Sequence, residues 1–227
     1  MKIENNILRY YLRNTYFITG TAYAGKSTAV KLLADRYDLN FCGENYFLEV
    51  ADRIADPAVQ PDMCYRRSLK NWEDFVRRPP EEYARWIRCS AREAVGFELA
   101  HLISLSGQGK TVVDTNIPVS VLKEISDYDH VAVMLSPQSM SVDRFFDRSD
   151  PDKQFLLSVI DGCADRDAVM ENYREGLKRI NSQENYDELA SSGFFTLVRR
   201  EEDGDTREAV ADALARHFGF EKSEKPS

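Results

Sequence analysis

The octapeptide Gly20-Thr21-Ala22-Tyr23-Ala24-Gly25-Lys26-Ser27 constrains this chain more than any other stretch. It matches G-x-x-x-x-G-K-[ST] in full, and the sequence changes character on its two sides. Tyr16-Phe17-Ile18-Thr19 is a short β-prone run ending at Gly20. From Lys26 to Tyr37 the pattern turns helical, with Val30, Leu33, Ala34 and Tyr37 at i, i+3, i+4 and i+7 on one face. A strand that runs through glycines into a helix start aims free backbone N–H groups and the positive end of the helix dipole at one spot. Glycines let the backbone wrap closely around phosphates there, while the lysine adds a charge and the serine hydroxyl a metal ligand. The plain alternative is a glycine-containing strand–helix turn that holds no ligand.

The rest of the chain repeats the strand-then-helix alternation. Asn40-Phe41-Cys42 reads as a second strand ended by Gly43, and Thr111-Val112-Val113 as a third ending at Asp114. Residues 131–135 and 194–198 supply a fourth and a fifth. Short apolar runs, each followed by helical pattern, predict an α/β fold: a five-stranded parallel sheet with helices on both faces. Between strands two and three, residues 45–105 predict a helical insertion, divided by Pro57, Pro61 and Pro79-Pro80 into at least three helices. The longest begins at Pro80, with Glu81 and Glu82 in its first turn and Tyr83, Trp86, Ile87, Ala94 and Phe97 on its apolar face. Residues 152–189 are expected to form two helices. The last helix is expected to start at Asp205 as N-cap, with Val210, Ala213, Leu214 and His217 as its inner stripe. Residues 1–13 read as a short helix or arm and 221–227 as a flexible polar tail. No repeat or low-complexity linker divides the chain, so a single domain over 1–220 is expected.

Composition narrows the partners. At 227 residues, 43 % hydrophobic and 30 % charged, the chain can bury a core without staples and is not disordered. Thirty basic against 38 acidic residues give −8, which lacks the broad basic footprint of a general nucleic-acid binder, so nucleic acid is not an expected partner. Cys42, Cys64, Cys89 and Cys163 form no CxxC pair, and the chain has only three histidines, so reduced thiols are expected and a zinc site is not. The first residues lack the apolar stretch of a signal peptide, and no segment approaches the roughly 20 apolar residues that span a bilayer. A cytoplasmic protein with no membrane partner is expected.

In its motif and its order of elements the chain resembles the P-loop NTPase superfamily, and within it the small-molecule kinases: nucleoside and nucleotide kinases and shikimate-kinase-like enzymes. The resemblance is specific at the loop and rests elsewhere on element order. It implies ATP and Mg²⁺ as cofactors, held by Gly20, Thr21, Ala22, Tyr23, Ala24, Gly25, Lys26, Ser27 and Thr28. Lys26 would reach the β- and γ-phosphates and Ser27 would ligate Mg²⁺. It further implies a phosphotransferase whose small-molecule phosphate acceptor is a nucleoside or nucleotide. The acceptor would bind in the insertion after the second strand, under a mobile arginine-bearing lid at about 139–160. Two other readings stay open: a nucleotide-binding regulatory ATPase, and a toxin-like kinase acting on nucleic-acid ends or a nucleotide-sugar. No N-K-x-D motif follows the fourth strand, where Leu135-Ser136-Pro137-Gln138 stands.

Three places align with that family pattern. Glu44, after the second strand, sits where such kinases carry an acidic residue that holds or deprotonates the acceptor hydroxyl; the D-x-D of shikimate-kinase-like enzymes is missing, and the alternative is an N-cap or surface carboxylate for the helix expected at Asn45. Asp114 sits at the C-terminal end of the third strand, where open α/β sheets bind ligands, and would serve the Mg²⁺ shell or the acceptor. The glycine-rich loop that shikimate kinases carry there is absent, and the alternative is a loop cap. Arg144 and Arg148 follow the fourth strand four residues apart and, on one helix, would share a face and close on the transferring phosphoryl. The alternative is an exposed helix whose arginines pair with Asp143, Asp147 and Asp150. Between residues 60 and 92 lie Arg66, Arg67, Lys70, Arg77, Arg78, Arg85, Arg88 and Arg92, a local basic excess that suits a phosphate-bearing acceptor. A solvated face laced by pairs such as Glu81–Arg85 is the alternative, and Trp72 and Trp86 read as core in preference to pocket walls.

Overall fold

The computed structural model describes residues 3–147 and 150–220. In chain order the elements are α1 (Asn5–Leu12), β1 (Thr15–Gly20), α2 (Lys26–Tyr37), β2 (Asn40–Cys42), α3 (Leu48–Ile54), α4 (Pro61–Ser68), α5 (Trp72–Val76), α6 (Pro80–Leu105), β3 (Thr111–Asp114) and α7 (Val119–Ile125). They continue with β4 (Val131–Leu135), α8 (Gln138–Asp143), α9 (Pro151–Asp161), α10 (Arg166–Ile180), α11 (Gln183–Ala190), β5 (Phe195–Val198) and α12 (Arg207–His217). The strands form one five-stranded sheet in the order β2-β3-β1-β4-β5, and every pair is parallel. The expected α/β architecture is therefore present.

Strand periodicity explains how the sheet is covered. Side chains alternate faces along a strand, so Tyr16 and Ile18 of β1 leave one side and Phe17 the other. Tyr16 and Ile18 join Val30 and Leu33 of α2 and Leu214 of α12 in one buried cluster. Phe17 joins Leu8 and Leu12 of α1, Leu102 of α6 and Leu122 and Ile125 of α7 in another. A central strand buried on both faces has no polar register, which is why β1, β3 and β4 read as continuous apolar runs.

Register aligns the strand ends that matter. Ile18 stands opposite Asp114 and Gly20 opposite Met134, so β1, β3 and β4 finish along one edge. Gly20 adopts φ 137°, and a Cβ there would lie 1.8 Å from the Met134 carbonyl oxygen. No other residue fits that approach, which lets the Thr21 N–H donate to the same carbonyl at 3.0 Å.

The stretch between β2 and β3 carries four helices, α3 to α6. Helix α6, with 26 residues, spans about 39 Å and serves as their spine. Its first half enters an aromatic cluster with Phe75, Tyr83, Trp86, Tyr173 and Leu177, while Leu102 in its second half covers the sheet. Trp86 is buried in that cluster, and Trp72 packs against it partly exposed.

Two expectations change in detail. Residues 152–189 hold three helices, because the chain turns at Gly162 and again at Asn181, where the Ser182 side chain caps α11 by accepting from the Asn185 N–H. The last helix begins at Arg207 with Thr206 as N-cap; Asp205 still accepts from the Arg207 N–H at 3.2 Å and pairs with its guanidinium. Its buried residues are Ala211, Leu214 and Ala215, continued by Phe218 just past the helix; of the expected stripe, Leu214 is buried, Val210 packs against the same cluster, and Ala213 and His217 are half-buried. Alternating small alanines leave the face undecided until Phe218 fixes it. Among the described residues the cysteines are free thiols, no helix is long and apolar enough to cross a membrane, and no group of three metal-ligating side chains occurs.

Candidate functional site

The loop between β1 and α2 is built as a concave turn. Tyr23 adopts φ 67° and Gly25 φ 93°, and α2 opens on Gly25 with no side chain capping it. Left-handed backbone at two nearby positions turns successive peptide N–H groups toward the same side, the geometry that cradles anions. The helix start keeps its unsatisfied amides and positive dipole end.

Three side chains from outside the motif hold the floor of this loop. The Thr21 hydroxyl is buried and accepts from the Ser136 N–H at 2.7 Å. The Ser136 hydroxyl donates to the Ala22 carbonyl at 2.6 Å, and the Ser141 hydroxyl of α8 donates to the same oxygen at 2.8 Å. The Arg199 guanidinium, just past β5, donates to the Tyr23 carbonyl at 3.2 Å. Thr21 is thus a structural tie between the loop and β4. Sequence reading assigned no role to Ser136, Ser141 or Arg199, because hydroxyls and one arginine after a strand carry no pattern.

Lys26 is the one charged residue of the loop. Lys26 donates to the Thr21 carbonyl at 3.0 Å, folded back across the turn. Ser27 donates its hydroxyl to the Asp114 carboxylate at 2.6 Å. Asp114 is 3 % exposed, and Ser27 stands at the exposed mouth above it. A short hydroxyl–carboxylate pair at an anion-cradling helix start offers two oxygens of the kind a hard divalent cation takes. Ser27 and Asp114 therefore fit Mg²⁺ by donor chemistry. A cleft of about 260 Å³ opens beside the loop, with Thr21, Ser136, Gln138, Asn181 and Tyr186 in its walls.

Behind Asp114 lies a carboxyl that sequence reading missed. Glu98 of α6 is 1 % exposed; its Oε2 accepts from the Thr115 hydroxyl at 2.6 Å and the Tyr46 hydroxyl at 3.1 Å, while Oε1 has no hydrogen-bond partner among the described residues. Glu98 thereby ties the segment after β2 to the segment after β3. Burial, with the Asp114 charge adding, pushes its carboxyl up to about 7 against the pull of the two hydroxyl bonds. The same burial, reinforced by Glu98, pushes the Cys42 thiol up to about 11. A signal was present: Ala94, Glu98 and Leu102 share the inner stripe at i, i+4 and i+8, so a charge falls where the helix is buried.

A pH-dependent stability follows. The folded Glu98 binds a proton that the unfolded one releases near 4.5, so its contribution falls as pH rises from about 4.5 to 7 and is fully lost above that. Glu98→Gln is expected to be more stable than wild type at pH 8, by up to about 3 kcal/mol, with the difference vanishing near pH 4.5. Urea unfolding of both proteins across that range checks it. A constant difference at every pH would contradict it.

The remaining expected residues are placed as follows. Glu44 is exposed on the turn after β2; Gly43 and Asn45 flank it, the latter at φ 64°. Since β2 neighbours β3, Glu44 and Asp114 leave adjacent strands at one edge. Helix α3 begins at Leu48 with Phe47 as its N-cap, so Glu44 does not cap it. Arg144 is exposed and ends α8, and the next three residues form a 3-10 turn (Phe145–Asp147), so the helix does not continue. Arg148, expected to share a face with Arg144, lies outside the described residues, as does 221–227. Asp150 caps α9 and pairs with Lys153 at 2.9 Å. Arg85 lies 3.7 Å from Asp62, and Glu81 pairs with Arg179 at 2.9 Å, so the expected Glu81–Arg85 pairing is replaced by contacts between helices.

The chain matches no protein-family model and no curated protein.

Proposed function

We propose that this protein is a P-loop kinase-like phosphotransferase that moves the γ-phosphoryl of ATP to a small-molecule acceptor, a nucleoside or nucleotide. The observation that carries the reading is the Ser27–Asp114 bond at 2.6 Å, set beside a glycine-lined helix start whose lysine is folded back over the turn. In this reading the peptide N–H groups of 22–28 hold the phosphates, and Lys26 exchanges the Thr21 carbonyl for phosphate oxygens. Ser27 and Asp114 would hold Mg²⁺, which would supply positive charge against the phosphoryl oxygens. One P–O bond to the leaving ADP breaks and one to the acceptor oxygen forms, while the acceptor hydroxyl proton passes to Glu44 or solvent. Glu98, 1 % exposed, keeps Thr115 and Tyr46 in place around the acceptor edge. Positioning and electrostatics supply the rate, since phosphoryl transfer needs little covalent help from the protein.

Equilibrium titration with ATP, with and without Mg²⁺, tests the nucleotide half of this reading. Wild type is expected to bind Mg·ATP saturably, and Ser27→Ala to lose most of the Mg²⁺-dependent gain while retaining metal-free binding. Absence of saturable ATP binding in folded wild type would overturn the reading.

A further inference from the structure

We propose that Arg199 is a positioning residue of the phosphate loop, holding Tyr23 in the left-handed backbone conformation on which the anion cradle depends. This rests on the phosphotransferase reading and names a residue outside the motif that sets the geometry of the same site.

Tyr23 lies at φ 67°, where the Cβ of an L-residue crowds the following carbonyl oxygen and only glycine is at ease. A tyrosine without support there relaxes to negative φ. The dihedrals of a residue are set by the two peptide planes that flank it, and here each plane is held by its carbonyl. The Ala22 carbonyl accepts from the Ser136 hydroxyl at 2.6 Å and from the Ser141 hydroxyl at 2.8 Å. The Tyr23 carbonyl accepts from the Arg199 guanidinium at 3.2 Å, a charge-assisted bond from a half-buried side chain. The serines thus fix the plane before Tyr23, and Arg199 fixes the plane after it.

A trans peptide points its N–H opposite to its C=O, and no cis peptide occurs among the described residues. Drawing the Ala22 carbonyl toward the serines turns the Tyr23 N–H to the other side of the chain. Drawing the Tyr23 carbonyl toward Arg199 does the same for the Ala24 N–H. Successive N–H groups set in this way make the concavity that takes an anion. Without the guanidinium the second plane rotates as Tyr23 returns to negative φ, and the Ala24 N–H leaves the cradle. The two supports are themselves joined. Ser139 of α8 donates to the Glu201 carboxylate, two residues past Arg199, so α8 and the segment after β5 bear on the loop as one clamp.

The test is a double-mutant cycle read by binding. Inorganic pyrophosphate with Mg²⁺ is titrated calorimetrically, at constant ionic strength and pH 7.5, into wild type, Arg199→Ala, Tyr23→Gly and the double variant. Arg199→Ala is expected to bind about tenfold more weakly than wild type, a loss of about 1.4 kcal/mol. In the Tyr23→Gly background the left-handed state needs no support, so the same substitution should cost less than about threefold. A positive charge merely lost near the phosphates would cost the same in both backgrounds, so equal losses would overturn the proposal. Unchanged affinity in Arg199→Ala, or no pyrophosphate binding by wild type, would overturn it as well. Arg199→Met keeps an apolar stem without the donors, and it carries the test if Arg199→Ala does not fold. The expected coupling in a protein that transfers no phosphoryl group would uphold the positioning role and remove the phosphotransferase reading. Phosphoryl transfer without the coupling would do the reverse.

Discussion

Lys26→Ala is expected to lower kcat by on the order of 10³ and to weaken Mg·ATP binding, while thermal unfolding stays within about 1 kcal/mol of wild type. The ammonium makes one hydrogen bond to the protein, to the Thr21 carbonyl at 3.0 Å, and that oxygen faces a half-exposed turn where water can replace it. Its loss therefore costs little in the fold. In the reaction the same charge has no substitute, because no other lysine or arginine lies within 20–28 and Arg199 is committed to the Tyr23 carbonyl. Steady-state kinetics and a melting curve on the same preparation check both halves. A folded Lys26→Ala protein with wild-type turnover would remove the loop from the mechanism.

Asp114→Asn is expected to slow turnover by on the order of 10² or more with every acceptor, in kcat more than in KM for ATP. Asparagine keeps an oxygen that can accept from Ser27, so the local geometry survives, but it removes the negative charge a divalent cation needs. Metal-free ATP binding should be unchanged, and the Mg²⁺ concentration for half-maximal rate should rise. Glu44→Gln, by contrast, should impair acceptor use alone, because Glu44 is exposed at the neighbouring strand end and outside the Ser27–Asp114 pair. Varying each substrate in turn separates the two. Equal effects of both variants on Mg²⁺ dependence would contradict the division of roles.

What the sequence reveals and what it hides follow physical lines. The strands are legible because each central one is buried on both faces and so is uniformly apolar, as Val131 to Leu135 illustrates. The loop is legible because Gly20 faces a carbonyl at a distance no Cβ tolerates, so its identity is dictated by backbone contact. Helix ends are less legible. Thr206 displaces Asp205 as N-cap, and alternating alanines in α12 leave the buried face open until Phe218. The break after Asp143 escapes notice because nothing in Arg144-Phe145-Phe146 opposes a helix locally; both phenylalanines instead pack against Tyr173, far along the chain. Glu98 Oε1 and Arg78 Nη1 are harder still, since what sets them apart is burial without a hydrogen-bond partner among the described residues, a property of the folded surroundings and not of any spacing.

The central claim is that the phosphoryl group ends on an acceptor. Incubating the protein with Mg·ATP and, in turn, a nucleoside, its monophosphate, a sugar and a small hydroxy acid, and following ³¹P resonances, tests it most directly. Phosphoryl transfer predicts that one acceptor accelerates ADP release and that the γ-phosphorus reappears as an ester on that acceptor. ADP release at one rate with all of them, with the phosphorus recovered only as inorganic phosphate, would contradict it.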